Sequence, residues 1–402
     1  MIKKRIFIFL AVIIGVAIGA FYLSKFASGY RPDFSTKSLK PTGLLVATSY
    51  PNQATVYING KASKNKTATT MSLTPGEYQV EIKKDGFTSW QKKLIVEKEL
   101  VVKTEANLFP TFPDLKALTF TGAANPVIST DGKKVLFNVA KQGEKDGLWI
   151  LELSDRPLNL NREARQILSL DSQERDFSQA TYQWSTDSKQ VLITFIKTPA
   201  TKKIKAIEEN FILDINNSDL TLKLKDISEQ KETILAQWQK EKEIVAMAQI
   251  SRLPEELTLI LDKAVRDITF SPDETKIMYI ATASASIPKE LIPPMPGAST
   301  QTESREIQAD KTYIYDLKED RNFAVDLPAD AKVSWFPSSR HLFLVQKDKI
   351  SLLEYDNTNK IDLYTGPFEN SFAFTFPSGN RLLILASLSK DSPSNLYSTS
   401  LK

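Results

Sequence analysis

Histidine occurs once in this chain, at His341, and cysteine is absent. A serine hydrolase built on this sequence would need His341 as its base, because a hydroxyl attacks only beside a group that takes its proton. His341 stands in SSRHLFLV, at the start of an apolar strand, where a structural role is the simpler reading. No G-x-S-x-G elbow, G-x-x-x-x-G-K-[ST] phosphate loop or G-x-G-x-x-G dinucleotide fingerprint occurs. The absence of thiols excludes disulfides, cysteine nucleophiles and thiolate metal sites, and one imidazole leaves zinc or iron to carboxylates, which suit them poorly. Asp131, Asp187 and Asp273 recur in similar turns. A calcium role would need a second acid at fixed spacing, and none recurs, so they read as turn residues bonding their own backbone. The sequence predicts no catalytic residue, no metal site and no cofactor. The alternative is a carboxylate pair brought together from separate segments, as in a glycan hydrolase.

The elements that would position any site are easier to read. A chain of 402 residues with 42% hydrophobic and 25% charged residues can bury two or three cores. Its net charge of +4 is scattered, with no basic stripe of the kind that binds nucleic acid. Lys3, Lys4 and Arg5 precede Ile6–Leu23, eighteen residues without a charge. As a helix this run spans about 27 Å, close to the hydrocarbon core of a bilayer. Residues 1–24 therefore read as a cytoplasmic stub and a lipid-spanning helix, with residues 25–42 as a polar tether. A cleaved signal is the rival, though the run exceeds a usual signal core; either way the body is exported. Ala11, Gly15 and Gly19 repeat every fourth residue and form a small-residue face on which a second copy could pack as a homodimer.

From Gly43 the pattern alternates, through LLVATSY, ATVYING, GEYQVEIKKDGF, WQKKLIVEKE and LVVKTEANL. Alternation places Val56 and Ile58, then Val80 and Ile82, on one face of their strands. Asn59-Gly60 is a two-residue hairpin turn, since both positions take positive φ there, and Asp85-Gly86 reads as a second. About seven short strands over 43–107 make a compact β-sandwich. Pro51, Ala54, Val56, Tyr57, Ile58 and Gly60, then Pro75, Gly76 and Tyr78, then Gly86, Phe87 and Trp90 together resemble the PEGA domain. The four naming letters themselves are absent. The resemblance implies a surface or envelope protein and carries no catalytic residues.

Residues 115–402 repeat. NPVISTDGKKVLFNVA, TYQWSTDSKQVLITFI, DITFSPDETKIMYIAT, KVSWFPSSRHLFLVQ and FAFTFPSGNRLLILAS share a strand, a polar turn, a cation and a second strand. Ser129, Ser185, Ser271, Phe336 and Phe376 precede the turns, spaced 56, 86, 65 and 40 residues apart. The longest gap holds ILAQWQKEKEIVAMAQ, whose Trp238 aligns with Trp184 and Trp335 and suggests a degenerate sixth copy; an amphipathic helix is the alternative. Further strand candidates, such as LWILEL, FILDI, TYIYDL and ISLLEY, then RQILSL, LTLIL, NFAVDL and KIDLYT, bring each repeat to four strands. ALTFT, residues 117–121, would complete the last copy. The Ser271-Pro272-Asp273 turn and its relatives resemble TolB-type and WD40-like propeller repeats. The fold expected is all-β: a transmembrane helix, a small PEGA-like sandwich and a propeller of about six four-stranded blades.

Two insertions interrupt the propeller, at 226–262, where Pro254 could open a short helix, and at 284–311. The second is proline-rich and too long for a plain hairpin; Pro293, Pro294, Pro296 and Arg305 mark it as a stiff arm for partner contact. The function expected is non-enzymatic binding or scaffolding at the cell envelope. Its partners are the lipid bilayer through residues 6–23 and an unidentified envelope protein or wall polymer. The alternative is a propeller hydrolase of envelope glycans or peptides.

Overall fold

A computed structural model describes the chain except residues 1, 28, 34–37, 112–113, 141, 155–162, 170–174, 198–206, 216–223, 294, 296–298 and 390–391. The chain divides into two compact units. One holds residues 1–111 with 292–304 and 317–321, and the other holds the rest.

In the first unit, helix α1 (Ile2–Ala27) contains Phe7–Ala27, which is long and apolar enough to cross a membrane and is unburied by the rest of the chain. Strands β1 (Arg31–Asp33) and β2 (Ser38–Lys40) pair in the tether. The small β-domain has seven strands, five of them in the alternating segments and two between Gly60 and Pro75. They are β3 (Gly43–Tyr50), β4 (Thr55–Ile58), β5 (Lys61–Lys66), β6 (Thr69–Leu73), β7 (Gly76–Lys83), β8 (Trp90–Val96) and β9 (Val101–Asn107). Sheet β6-β3-β9, with β3 and β9 parallel, and sheet β5-β4-β7-β8 enclose a core of Leu45, Ala47, Val56, Val80, Ile82, Trp90, Leu94 and Val102. Asn59 (φ 49°) and Gly60 (φ 78°) both take the left-handed conformation a primed hairpin turn requires. Asp85-Gly86 differs from expectation. Only Gly86 (φ 79°) is left-handed, and Phe87 N–H bonds to Lys84 C=O at 3.1 Å, so a single glycine turns the chain toward β8.

The second unit opens with β10 (Leu115–Ala117), β11 (Ala124–Ile128), β12 (Lys134–Val139), β13 (Gly147–Glu152) and β14 (Arg165–Ser169). Next come β15 (Thr181–Trp184), β16 (Gln190–Lys197), β17 (Ile207–Asp214), β18 (Lys225–Asp226), α2 (Lys231–Ile250) and α3 (Glu255–Ala264). They are followed by β19 (Val265–Phe270), β20 (Lys276–Ala281), β21 (Ala285–Ser286), β22 (Glu306–Ile307), β23 (Thr312–Asp316) and β24 (Arg321–Val325). The last are β25 (Lys332–Trp335), β26 (His341–Val345), β27 (Lys349–Glu354), β28 (Ile361–Thr365), β29 (Ala373–Thr375), β30 (Arg381–Ala386) and β31 (Asn395–Ser400). Among the described residues they form five four-stranded antiparallel sheets: β11-β12-β13-β14 (sheet I), β15-β16-β17-β18 (II), β19-β20-β23-β24 (III), β25-β26-β27-β28 (IV) and β10-β31-β30-β29 (V). Each sheet contains one of the five repeated hairpins. In sheet V the missing fourth strand does come from the start of the region, centred on Leu115–Ala117 rather than on 117–121.

Neighbouring sheets share cores. Leu385 and Leu396 of sheet V meet Phe137 and Leu151 of sheet I, and Leu136 and Ile150 of sheet I meet Trp184, Val191 and Phe211 of sheet II. Trp238 on α2 packs against Leu192 and Ile227, and Arg252 beyond α2 pairs with Glu274 of sheet III at 2.8 Å. Ile314 and Phe323 of sheet III meet Leu342 and Leu353 of sheet IV. Gly379 of sheet V lies so near Phe336 of sheet IV that an added Cβ would stand 3.1 Å from the ring. The order of contact therefore runs V, I, II, α2, III, IV and back to V.

The expected sixth copy is a helix. In α2 the residues Ala, Gln, Glu, Lys and Met are strong helix formers, and Ile234, Leu235 and Trp238 share one face at helical spacing. LTLIL is likewise helical, inside α3, whose start follows Pro254. The fourth strand of sheet II is instead the two-residue β18.

Candidate interaction surface

The five repeated turns share one pair of backbone hydrogen bonds, and three of them share one set of side-chain contacts. Ser129 Oγ donates to Asp131 Oδ1 at 2.7 Å and accepts from Lys134 N–H, while Lys133 N–H bonds to the same carboxylate. Ser185 with Asp187, and Ser271 with Asp273, repeat this. The aspartates bond their own backbone, as their positions predict. The next residue is left-handed in all five turns: Gly132, Ser188, Glu274, Ser339 and Gly379. Where that residue is serine, its hydroxyl reaches the preceding sheet: Ser188 Oγ accepts from Asp131 N–H (2.9 Å) and Ser339 Oγ from Asp273 N–H (3.0 Å). Burial alone would raise the Asp273 carboxyl, but the hydroxyls of Thr275 and Ser271 and the Thr275 N–H outweigh it and hold it at about 2. Asp131 is lowered in the same way against its burial, and Asp187 chiefly by Ser185.

Beside the turns, the first residue of the second strand faces the end of the third: Lys134 opposite Glu152, Gln190 opposite Asp214, Lys276 opposite Asp316, His341 opposite Glu354 and Arg381 opposite Ser400. Lys276 Nζ lies 3.2 Å from Asp316 Oδ2, with both side chains buried, and 4.7 Å from the centre of the Tyr355 ring. His341 Nε2 stands 3.8 Å from Glu354 Oε1, and its Nδ1 stands 3.3 Å from Ser338 Oγ. A serine, an imidazole and a carboxylate are thus near one another. Both gaps exceed catalytic hydrogen-bond reach, and the imidazole and Glu354 are buried. Among the described residues no three His, Asp or Glu could jointly hold a metal ion.

The 284–311 insertion begins as a stem. Strands β21 and β22 pair, Ile287 and Ile307 are buried, and Arg305 Nη1 donates to Pro288 C=O. Pro293 is exposed, whereas Pro294 and Pro296 lie outside the described residues. The described part of 292–304 belongs to the same compact unit as the small β-domain. Gln301 Nε2 and Thr300 Oγ1 donate to Lys93 C=O at 2.8 and 3.3 Å, and Thr300 Oγ1 accepts from Ile95 N–H. This part of the expected free arm therefore lies along the open edge of β8. Gly15 and Gly19 have no heavy atom within 4 Å of a Cβ built on them, and Ala11 is exposed, so the small-residue face of α1 is uncovered by the described residues.

Sequence reasoning missed a cleft of about 200 Å³ at the seam of sheets V and I, lined by Ala117, Leu118, Phe120, Leu151, Glu152, Glu163 and Phe376. Phe120 is 82% exposed. Its backbone is fixed all the same: the buried Thr119 and Asn395 side chains bond to each other at 3.0 Å, Leu396 N–H donates to Thr119 Oγ1, and Asn395 Oδ1 accepts from Gly122 N–H. The only advance signal was an aromatic on the outward side of a short seam strand, in a Thr-Phe-Thr-Gly context.

The small domain can now be compared with known families. Residues 42–111 match the PEGA domain. Solved structures similar to this chain include TolB from Acinetobacter baumannii, 10% identical, with TM-score 0.20 and covering 94% of this chain and 67% of that one. Putative TolB from Agrobacterium tumefaciens is 11% identical, with TM-score 0.21 and coverages of 85% and 81%. An acylaminoacyl peptidase in complex with Z-Gly-Gly-Phe-chloromethyl ketone is 12% identical, with TM-score 0.20; this chain spans 39% of that structure's length. Overlaps this slight transfer neither a site nor a partner. No curated protein matches the chain in sequence.

Proposed function

We propose that the chain is a non-enzymatic binding or scaffold protein of the cell envelope, anchored by α1, with its body outside and its second unit arranged as a propeller. The observation that carries the propeller is the order of contact among the sheets, which returns from sheet IV to sheet V through Gly379 and Phe336, with α2 in the interval between sheets II and III. A ring closed by its own first and last strands leaves few open edges and offers a rigid support for variable segments. The PEGA match supports an extracytoplasmic location, and the uncovered apolar run of α1 supports membrane attachment.

The lack of cysteine allows a direct test. Single variants Lys64→Cys, in the small domain, and Lys242→Cys, on α2, are treated in intact cells with a membrane-impermeant maleimide. Labelling of both is expected; protection of both until the cells are lysed would overturn the topology. External crosslinking of the full chain should then capture a discrete envelope protein or wall polymer.

A hydrolase reading has one observation in its favour, the approach of Ser338, His341 and Glu354. A fluorophosphonate probe should leave the chain unlabelled. Labelling abolished by Ser338→Ala would establish the hydrolase instead.

A further inference from the structure

We propose that the cleft at the seam of sheets V and I binds a basic side chain, arginine or lysine, presented by an apolar segment of a partner protein. The inference rests on the binding reading above and adds the place and the chemistry. The cleft walls are aliphatic at Ala117, Leu118 and Leu151 and aromatic at Phe120 and Phe376, and its charged lining residues are the carboxylates Glu152 and Glu163. An apolar wall with carboxylates at its rim suits a long side chain that buries its methylenes and keeps its cationic head against the acids. The exposed Phe120 face adds attraction for the same cation, whereas the Phe376 ring already carries the Arg381 guanidinium, 5.7 Å from its centre.

The molecule already uses this combination internally. Lys276 sits between the Asp316 carboxylate and the Tyr355 ring. Glu152 occupies the strand position that Asp316 and Glu354 hold in sheets III and IV, with Lys134 opposite it. Glu163 has no counterpart in that repeated register and adds a second negative group beside the cleft.

Phe120 decides the occupant's second property. Thr119, Gly122 and Leu396 hold its backbone, yet the ring projects into solvent. An aromatic fixed at a cleft mouth loses little freedom on binding and is the residue type that dominates interface energy. It calls for an apolar neighbour on either side of the basic residue. The size of the cleft admits one side chain rather than a polymer strand.

The test uses the full chain in nanodiscs and two labelled peptides, acetyl-Leu-Arg-Leu-amide and the same peptide with citrulline for arginine. Citrulline keeps the shape and removes the charge. Fluorescence anisotropy should give saturable binding of the arginine peptide, roughly tenfold or more tighter than the citrulline peptide, and weakening with salt. Phe120→Ser and Glu163→Gln, both at exposed positions, should each weaken it about three- to tenfold with unchanged melting temperature. Equal binding of both peptides, or binding untouched by Phe120→Ser, would overturn the site. Absence of saturable binding would do so too. If external crosslinking still captures a partner and Phe120→Ser does not reduce that capture, the site fails while the binding reading stands.

Discussion

Replacing Trp238 by alanine should detach α2 without unfolding the sheets it rests on. Trp238 is 6% exposed and packs on Leu192 and Ile227 beside Ile234 and Leu235. A buried tryptophan removes about 150–250 Å² from water, worth roughly 4–6 kcal/mol at about 25 cal/mol per Å². Truncation to alanine in measured cores costs about 3–5 kcal/mol. The far half of α2 contributes little to docking, because Ile244, Val245 and Met247 are each more than half exposed. The helix's other ties are Lys231 to Glu208, Glu241 to Thr186, and Gln249 and Arg252 to Glu274, pairs at or near the surface that are worth under about 1 kcal/mol each. A helix of this length is marginal alone in water, so losing the tryptophan should free the whole of it. Hydrogen exchange read by mass spectrometry should show protection in 231–250 falling by about a hundredfold or more, since each 1.4 kcal/mol is a factor of about ten. Protection in β12 and β26 should hold, and Ile244→Ala should change nothing beyond about twofold. A fall of less than about threefold in 231–250 would refute the claim that Trp238 seats the helix. An equal collapse in all five sheets would show that α2 unfolds cooperatively with them rather than as an insert.

The Asp273 carboxyl titrates at about 2 when folded, below the roughly 3.9 of an unfolded chain, so its contribution is full above about pH 4 and is lost as pH falls toward 2. Screening at this exposed turn leaves it on the order of 1 kcal/mol; Asp273→Asn should lower stability by that amount in urea melts at pH 7 and by clearly less at pH 3. Lys276→Met leaves Asp316 buried without its cation and should cost about 3–5 kcal/mol, whereas Lys276→Met with Asp316→Leu should recover most of it in thermal melts. Asn138 is fully buried, and neither side-chain polar atom has a hydrogen-bond partner among the described residues, so Asn138→Leu should stabilise sheet I by roughly 1 kcal/mol or more. A loss of stability would point to a bound water holding the amide. Thr300→Ala with Gln301→Ala should raise exchange at 93–95 and leave the melting temperature within about a degree, as expected of exposed hydrogen bonds.

What the sequence made legible was local chemistry. Asn59-Gly60 specifies its turn because few other residues accept positive φ twice in succession. The Ser-x-Asp turns could be read because both partners of each bond lie within a few residues, and the five hairpins followed from alternation around them. In the gap at 226–262 the degenerate sixth copy failed and the helix alternative held, for the complementary reason. Trp238 and the apolar residues after it fit the spacing of a strand pair, and only the lack of alternation and the run of helix formers argued for α2. Similarly, LTLIL carries strand-like residues but follows Pro254 and two acids, which favour a helix start. The contacts of Thr300 and Gln301 with the edge of β8 had no signature, because a polar side chain bonding to a distant carbonyl looks like any loop residue.

The same reasoning explains why a candidate site is found at the seam. Repeated sheets are alike wherever the turn chemistry and the strand-end pairs recur, so features specific to this protein must lie where the repeat is interrupted or joined. The join is β10, which pairs with β31 across nearly the whole length of the second unit. Phe120 stands three residues beyond its end, and the fold does not need that aromatic. The Thr119–Asn395 bond and the Gly122 turn would hold equally well with serine at 120, and exposing a phenylalanine forgoes about 2–3 kcal/mol of burial. A residue that gains nothing from the core while its backbone is fixed by buried hydrogen bonds is better explained by what it meets in solution than by what it meets in the chain.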